Sequence, residues 1–341
     1  MAWTAVLVVL IAAVASWGLI GQIFPWLERY ALARPNARSS HKTPTAQGGG
    51  AAVIPVTLLV TWSAVLLVGV DGSVGRWQLA AVTLVAVVLA VLGAFDDIRP
   101  LPVVPRLAAQ VLAAVVLVQA MPDGAHALPL LPRALEFLIL VVGLIWFINL
   151  TNFMDGIDWM TVVQTVPVSA GLAALAVMGA LPPTAGLLAL ALAGALLGFA
   201  PYNRHVARLF LGDVGSLAIG ALVGWMLILL AAGGHLAAAL LLPLYYLADA
   251  TVTLYRRWRR GERLSQAHRS HFYQRATAHG FTVPEVTGRV AALNGALVLL
   301  ALASALFGST ALDVVLLAAG AALTGLLLAA FERGRDAARA S

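Results

Sequence analysis

Residues 134–158 read ALEFLILVVGLIWFINLTNFMDGID: an apolar run over 134–150, with Asn149, Asn152, Asp155 and Asp158 following at every third position. A helix needs about 20 predominantly apolar residues to cross about 30 Å of hydrocarbon, at a rise of about 1.5 Å per residue. The run is close to that length, and it recurs near 3–24, 49–70, 78–95, 106–121, 160–180, 185–200, 214–232, 235–255, 287–307 and 310–330. Of 341 residues, 61% are hydrophobic and 11% charged, against about 45–50% and about 25% in soluble domains. An ordinary globular enzyme is excluded. The pattern predicts an all-α polytopic membrane bundle of about 11 transmembrane helices, a single integral domain over 1–341. Ala13 to Ala15 could mimic a signal-peptide cleavage site, but residues 1–5 carry no Lys or Arg, so the first run is read as a retained helix.

Basic residues orient the bundle. With an external N-terminus, loops 25–48, 96–105, 151–159, 201–213 and 256–286, the C-terminal tail and the helix ends at Arg106 and Arg289 share one side. They hold every Lys and Arg except Arg76 and Arg133. That asymmetry is what the positive-inside rule gives for an odd number of spans, with the C-terminus cytoplasmic. The net charge of +6 thus records topology, and no nucleic-acid partner is expected. Zero Cys excludes disulfides, thiolate catalysis and Cys-ligated metals, so a metal must use oxygen or imidazole. Asp96, Asp97, Asp155, Asp158 and Asp213 gather on the basic side, whereas the external loops contribute only Asp71, Asp123 and Asp313. Carboxylates beside hydrocarbon are costly and call for a cation, an Arg or a water-filled cleft.

Four stretches on that face carry chemistry. Gly93-Ala94-Phe95-Asp96-Asp97-Ile98-Arg99-Pro100 ends a span with adjacent acids, followed by Arg106 and Gln110. Repelling neighbours of this kind suit a divalent cation or a guanidinium, although a solvated acidic helix end is the plainer reading. The Asn149, Asn152, Asp155, Asp158 series aims oxygens one way on a helix turn; capping explains one of them, not all. Asp213 lies between Gly212 and Gly215 at a helix start, where backbone N–H groups favour anions; a structural turn is the alternative. Arg256, Arg257, Arg259, Arg260 and Arg263 read as an anchor at an anionic leaflet. After them come His268-Arg269-Ser270-His271-Phe272-Tyr273-Gln274-Arg275, whose imidazoles could bind phosphate or sugar or remain solvated. Asp249, inside a span, is a functional candidate or a snorkelled partner of the Arg run. His41 and Lys42 precede Pro44, Thr45 and Gly48-Gly49-Gly50, a turn that brings base and backbone to the same face. His126, His205, His235 and His279 read as ordinary.

This ordered set, with Gly198-Phe199, Asn203, Ala207 and Phe210 leading into Gly212, resembles the polyprenyl-phosphate N-acetylhexosamine-1-phosphate transferase family (glycosyltransferase family 4) over about residues 35–280. The His268 to Arg275 motif is similar to the bacterial branch that initiates O-antigen lipid intermediates. The resemblance implies transfer of a sugar 1-phosphate from a UDP-N-acetylhexosamine to undecaprenyl phosphate, releasing UMP, with Mg2+ or alternatively Mn2+ as cofactor. It also implies a bacterial inner (plasma) membrane location, a site facing the cytoplasm, contact with membrane lipids and a homodimer. By position, Asp213 and Asn152 would ligate the metal, Asp158 would contact the uridine, and Arg106, where the family usually has Lys, would hold the diphosphate. Asn149, Asp155, Arg269, His41 and Gly49 would line the substrate, and His268 and His271 would bind diphosphate or sugar. Asp96 or Asp97 would orient or deprotonate the acceptor phosphate, or form an aspartyl-phosphate. Direct attack is favoured, because a phosphate monoester with a second pKa near 6 is already mostly dianionic at neutral pH.

Three positions depart from the family pattern: Gln47 stands where Arg is usual, Trp159 replaces a Gly, and the late motif has two histidines where other branches have three. The rival reading is a multispan secondary transporter or lipid flippase, which should carry polar groups near the middle of the bilayer. A non-catalytic scaffold gives no reason for oxygen ligands in three separate loops.

Overall fold

The computed structural model describes residues 2–33, 44–69, 75–263 and 268–335. Long apolar runs become α1 (Ala2–Tyr30), α2 (Gly50–Val68), α3 (Arg76–Ile98), α4 (Val103–Gln119), α5 (Arg133–Met154), α6 (Met160–Val177), α7 (Pro183–Phe199) and α8 (Asp213–Ala232). They are followed by α9 (Leu236–Leu241), α10 (Leu244–Arg259), α11 (Phe272–Ala278), α12 (Val283–Phe307) and α13 (Thr310–Arg333). Among the described residues, 8 helices are long and apolar enough to cross a membrane, and α4 and α7 are shorter apolar helices. The protein is an all-α, multi-pass membrane protein. Its surface agrees: Ile11, Leu84, Val142 and Leu326 are exposed, and only lipid makes a contiguous apolar surface inexpensive.

Burial ranks the helices. The apolar window of α8 is 94% buried, against 22% for α1 and α13, so α8 is the axle and the terminal helices face lipid. Small residues let neighbours close on it. A Cβ on Gly93 of α3 would stand 2.3 Å from the Asp213 carbonyl carbon, and one on Gly50 of α2 would stand 2.3 Å from Gly215 Cα.

The ninth expected span, 235–255, is not one helix. It breaks between α9 and α10 at Leu242 and Pro243, because proline has no N–H to give and its ring crowds the preceding turn. Beyond the break α10 is amphipathic and ends on Arg256, Arg257 and Arg259, cations that complement the helix C-terminus.

A small sheet, absent from the sequence reading, ties the polar ends together. Strand β1 (Leu32–Ala33) runs antiparallel to β2 (Thr45–Gln47), with Leu32 opposite Ala46, and β2 runs parallel to β3 (Leu209–Phe210), with Ala46 opposite Leu209. Its ladder continues as Gly49 N–H donates to Phe210 O and Gly50 N–H to Leu211 O, both 2.9 Å. The first turns of α2 and α8 are thereby held side by side.

Candidate active site

Asp97, one residue before the end of α3, accepts from the backbone N–H groups of Asp213 (3.0 Å) and Val214 (3.1 Å), one on each carboxylate oxygen. It therefore satisfies donors that the first turn of α8 cannot pair internally. Gly212 is required at this junction twice over: its φ is +78°, and a Cβ there would lie 2.5 Å from Asp97 Oδ2. Gln47, on β2, donates its Nε2 to the Asp97 carbonyl at 2.7 Å. A neutral amide here fixes the end of α3.

The neighbouring acid is held differently. Asp96 accepts from Leu101 N–H (2.6 Å) and from Arg106 of α4 (2.5 Å), and the same guanidinium nitrogen lies 3.9 Å from Asp213 Oδ2. Asn152, in the last turn of α5, donates Nδ2 to Asp213 Oδ1 (2.7 Å) and to Ser216 Oγ (2.9 Å). Asp96, Asp97, Arg106, Asn152 and Asp213 thus meet from α3, α4, α5 and α8. Two carboxylates, Asp96 and Asp213, face one guanidinium here, and that excess of negative charge suits a cation. Among the described residues no three His, Asp or Glu side chains stand gathered for a metal. With Asp97 committed to backbone N–H groups and Asp96 to Arg106, Asp213 is the carboxylate with an oxygen to offer, and Asn152 retains its Oδ1. That donor set fits Mg2+, which characteristically takes one or two carboxylates and completes its shell with water and substrate oxygens.

The rest of the Asn/Asp series spreads outward. Asn149 donates to Gln110 Oε1 (2.6 Å) and Ile145 O (2.8 Å), tying α5 to α4. Asp155, just past α5, accepts from Thr161. Burial, reinforced by the negative charge of Asp97, pushes its carboxyl up to about 7 against the pull of that hydrogen bond. Asp158 Oδ2 accepts from Ala207 N–H (3.1 Å) and lies 2.7 Å from His205 Nδ1. His205, read as ordinary in the sequence, is therefore part of the site's margin, and no spacing pattern pointed to it. Trp159 has φ +65°, the left-handed conformation that Gly adopts most readily. Its N–H donates to Asn203 Oδ1 (2.7 Å) and its indole to Ala200 O (2.8 Å). Gly49 has a packing role, since a Cβ would meet the Phe199 ring at 2.5 Å. His41 lies outside the described residues.

The histidine motif enters from the loop between α10 and α11. His268 and His271 rings are 4.9 Å apart, and Arg269 is exposed. Burial, then the neighbouring His271 and Arg257, lowers His268 to about 4, leaving it neutral at pH 7. Its Nδ1 lies 2.7 Å from Ser270 Oγ. Asp249 makes no ion pair with the Arg run among the described residues; it is engaged with His271. Helices α5, α8, α9 and α10 enclose an apolar groove of about 270 Å3 whose lining runs from Leu128 and Ala231 past Ile139 and Leu240 to Trp146 and Leu247. Trp146 meets Phe153 edge-on at 6.5 Å, and Phe153 lies 6.4 Å from His271, so two ring contacts lead from the groove's lining to the histidine motif.

A family model described as glycosyl transferase family 4 matches residues 79–231, a stretch that holds the acidic centre but ends before the histidines. The chain is 28% identical over 236 residues to a decaprenyl-phosphate N-acetylglucosaminephosphotransferase of Mycobacterium leprae, covering 64% of this chain and 59% of the relative. It is 28% identical over 238 residues to a phospho-N-acetylmuramoyl-pentapeptide-transferase of Streptococcus mutans, covering 63% and 70%. A transferase of the same description from Deinococcus radiodurans is 26% identical over 241 residues, covering 62% and 72%. The chain spans less than two thirds of the mycobacterial relative's length.

Proposed function

We propose that the chain, whose residues 79–231 match the glycosyl transferase family 4 model, transfers an N-acetylhexosamine 1-phosphate from a UDP-sugar to a polyprenyl phosphate. In the finer form of this reading the acceptor is undecaprenyl phosphate, the membrane is the bacterial inner membrane and the site faces the cytoplasm. The observation that carries it is the convergence of Asp213, Asn152, Asp96 and Arg106 from four helices, in a bundle that also carries a groove suited to an isoprenoid chain.

An oxygen of the acceptor phosphate attacks the phosphorus that bears the sugar. The bond to the bridging oxygen breaks, and UMP leaves with the electron pair. Mg2+, held by Asp213 and Asn152, would neutralise diphosphate oxygens and the charge that grows on the leaving group. Arg106, braced by Asp96, contributes a second fixed positive charge at the diphosphate. Asp97 acts one step back, holding the start of α8 so that Asp213 points correctly. The acceptor enters as a dianion, so direct attack needs no aspartyl-phosphate. Asp158 would meet the uridine, Asp155 would lie at the diphosphate, and His268, Arg269 and His271 would complete the phosphate and sugar contacts.

A transporter is the weaker reading, because the acids lie at helix ends: Asp97 closes α3 and Asp213 opens α8. The relatives' names point to cell-wall precursors and the late motif to an O-antigen intermediate; both products belong to envelope polymer synthesis. The test is a panel of UDP-sugars, including UDP-N-acetylglucosamine and UDP-N-acetylgalactosamine, incubated with purified protein, undecaprenyl phosphate and Mg2+. UMP release with one of them, dependent on the lipid phosphate, supports the reading. Absence of release across the panel overturns it.

A further inference from the structure

Gly156 sits between Asp155 and Asp158 in the turn that follows α5. Its φ is not positive, so its backbone conformation is open to residues that carry a Cβ. What requires glycine here is space: a Cβ would overlap the Tyr273 hydroxyl and lie 3.0 Å from Cζ of the same ring. Tyr273, in the first turn of α11, is fully buried, and a buried phenol needs a hydrogen-bond partner. Its OH donates to Phe153 O at 3.0 Å, one residue after Asn152, while its N–H donates to Asp249 Oδ2 of α10 at 3.2 Å. The turn is also pinned from two other places. Thr161 of α6 donates to Asp155, and the α7–β3 connection holds Asp158 through Ala207 N–H at 3.1 Å beside His205. Among the described residues, the hydrogen bond that reaches the turn from beyond α8 is that of Tyr273 alone.

We infer that Tyr273 is a positioning residue for this turn: its hydroxyl, admitted by the missing Cβ of Gly156, fixes the end of α5 so that Asp155 and Asp158 keep their places. The inference deepens the transferase reading, which sets these acids at the diphosphate and the uridine; the acids, not Tyr273, touch the nucleotide. Gly156→Ala forces ring and turn apart and should lower kcat/KM for the UDP-sugar about a hundredfold, the scale on which a misplacement of about 1 Å acts. Tyr273→Phe loses one neutral hydrogen bond and should raise KM for the UDP-sugar about two- to tenfold. KM for the polyprenyl phosphate should not move in either variant. With Gly156→Ala and Tyr273→Phe combined, the overlap is gone and the 3.0 Å approach to Cζ is all that must be relieved. The double variant should therefore be more active than Gly156→Ala, the non-additivity expected of side chains in contact.

A second readout needs no chemistry. His205 Nδ1 lies 2.7 Å from Asp158 Oδ2, and no hydrogen bond or ring contact joins His205 to Tyr273 among the described residues. In protein labelled with 15N-histidine in detergent, the His205 resonances, identified by their loss in His205→Asn, thus report where Asp158 stands. They should shift in Gly156→Ala, shift less in Tyr273→Phe, and return toward the native position in the double variant. A native KM for the UDP-sugar in Tyr273→Phe, a rise in KM for the polyprenyl phosphate instead, a double variant no better than Gly156→Ala, or unmoved His205 resonances would each overturn the inference. Where Gly156→Ala fails to fold, Tyr273→Phe decides through KM and through His205. If no sugar is transferred at all, the His205 resonances decide it, separately from the fate of the transferase reading.

Discussion

Asp97 commits both carboxylate oxygens to the first turn of α8, so replacing it does two things at once. Asp97→Ala leaves two buried N–H donors without partners, each worth about 1–3 kcal/mol. Thermal unfolding in detergent should register that loss, and activity should vanish with it because Asp213 is no longer aimed. Asp155 gives a pH signature. Its carboxyl holds a proton up to about 7 in the fold but only to 3.8 as a free side chain. Between those values the folded state binds more protons than the unfolded one, so stability falls as pH rises through that window and levels off above it. Asp155→Asn should flatten the decline in melting temperature between pH 5 and about pH 7; an unchanged slope would contradict the assignment. At Trp159 the backbone is left-handed, a conformation that costs a residue with a Cβ about 1–2 kcal/mol relative to Gly. Trp159→Gly should therefore melt higher than Trp159→Ala. Equal melting temperatures would mean that the φ is not maintained in solution.

At the scale of elements, helix-to-helix closeness sets the site. Gly93 brings α3 onto the carbonyl of Asp213, and since that atom is backbone it cannot rotate aside. Gly93→Ala should cost about 1–3 kcal/mol by overpacking and lower transfer activity as well, because the same shift moves Asp97; full activity would separate the crossing from the site. Thr282 accepts from Glu285 N–H and Glu285 accepts from Thr282 N–H, a capping box that starts α12 remote from the acids. Thr282→Ala should lower stability by about 1 kcal/mol with kcat unaffected. Helices were legible because hydrocarbon enforces long apolar runs; ten of the expected spans correspond to single helices. The break at Pro243 was hidden by unbroken hydropathy on either side of it. The sheet of β1, β2 and β3 was illegible because two- and three-residue strands leave no periodicity to read.

The molecule as a whole brings together residues separated by more than a hundred positions, such as Asp97 and Asp213. The sequence placed them on one face through topology and motif, and in the structure the Asp213 N–H donates to Asp97. It could not say that Asp97 caps a helix, that Asn149 braces Gln110, that His205 attends Asp158, or that Asp249 pairs with His271, since each is a pairing across the bundle that leaves no trace in local spacing. The proposed division of labour would put cation-binding oxygens on α5 and α8, guanidinium on α4, nucleotide contacts on the α5–α6 and α7–β3 connections, and the lipid tail along α5, α9 and α10. Its most direct test is UMP release from the accepted UDP-sugar and undecaprenyl phosphate, followed with and without Mg2+ in native protein and in Asp213→Ala purified to the same folded yield. We expect release that requires Mg2+ in the native protein and falls by about a hundredfold or more in the variant, the scale on which removing a charge-stabilising group acts. Release at the native rate from Asp213→Ala, or release indifferent to chelation of divalent cations, would contradict the site described here.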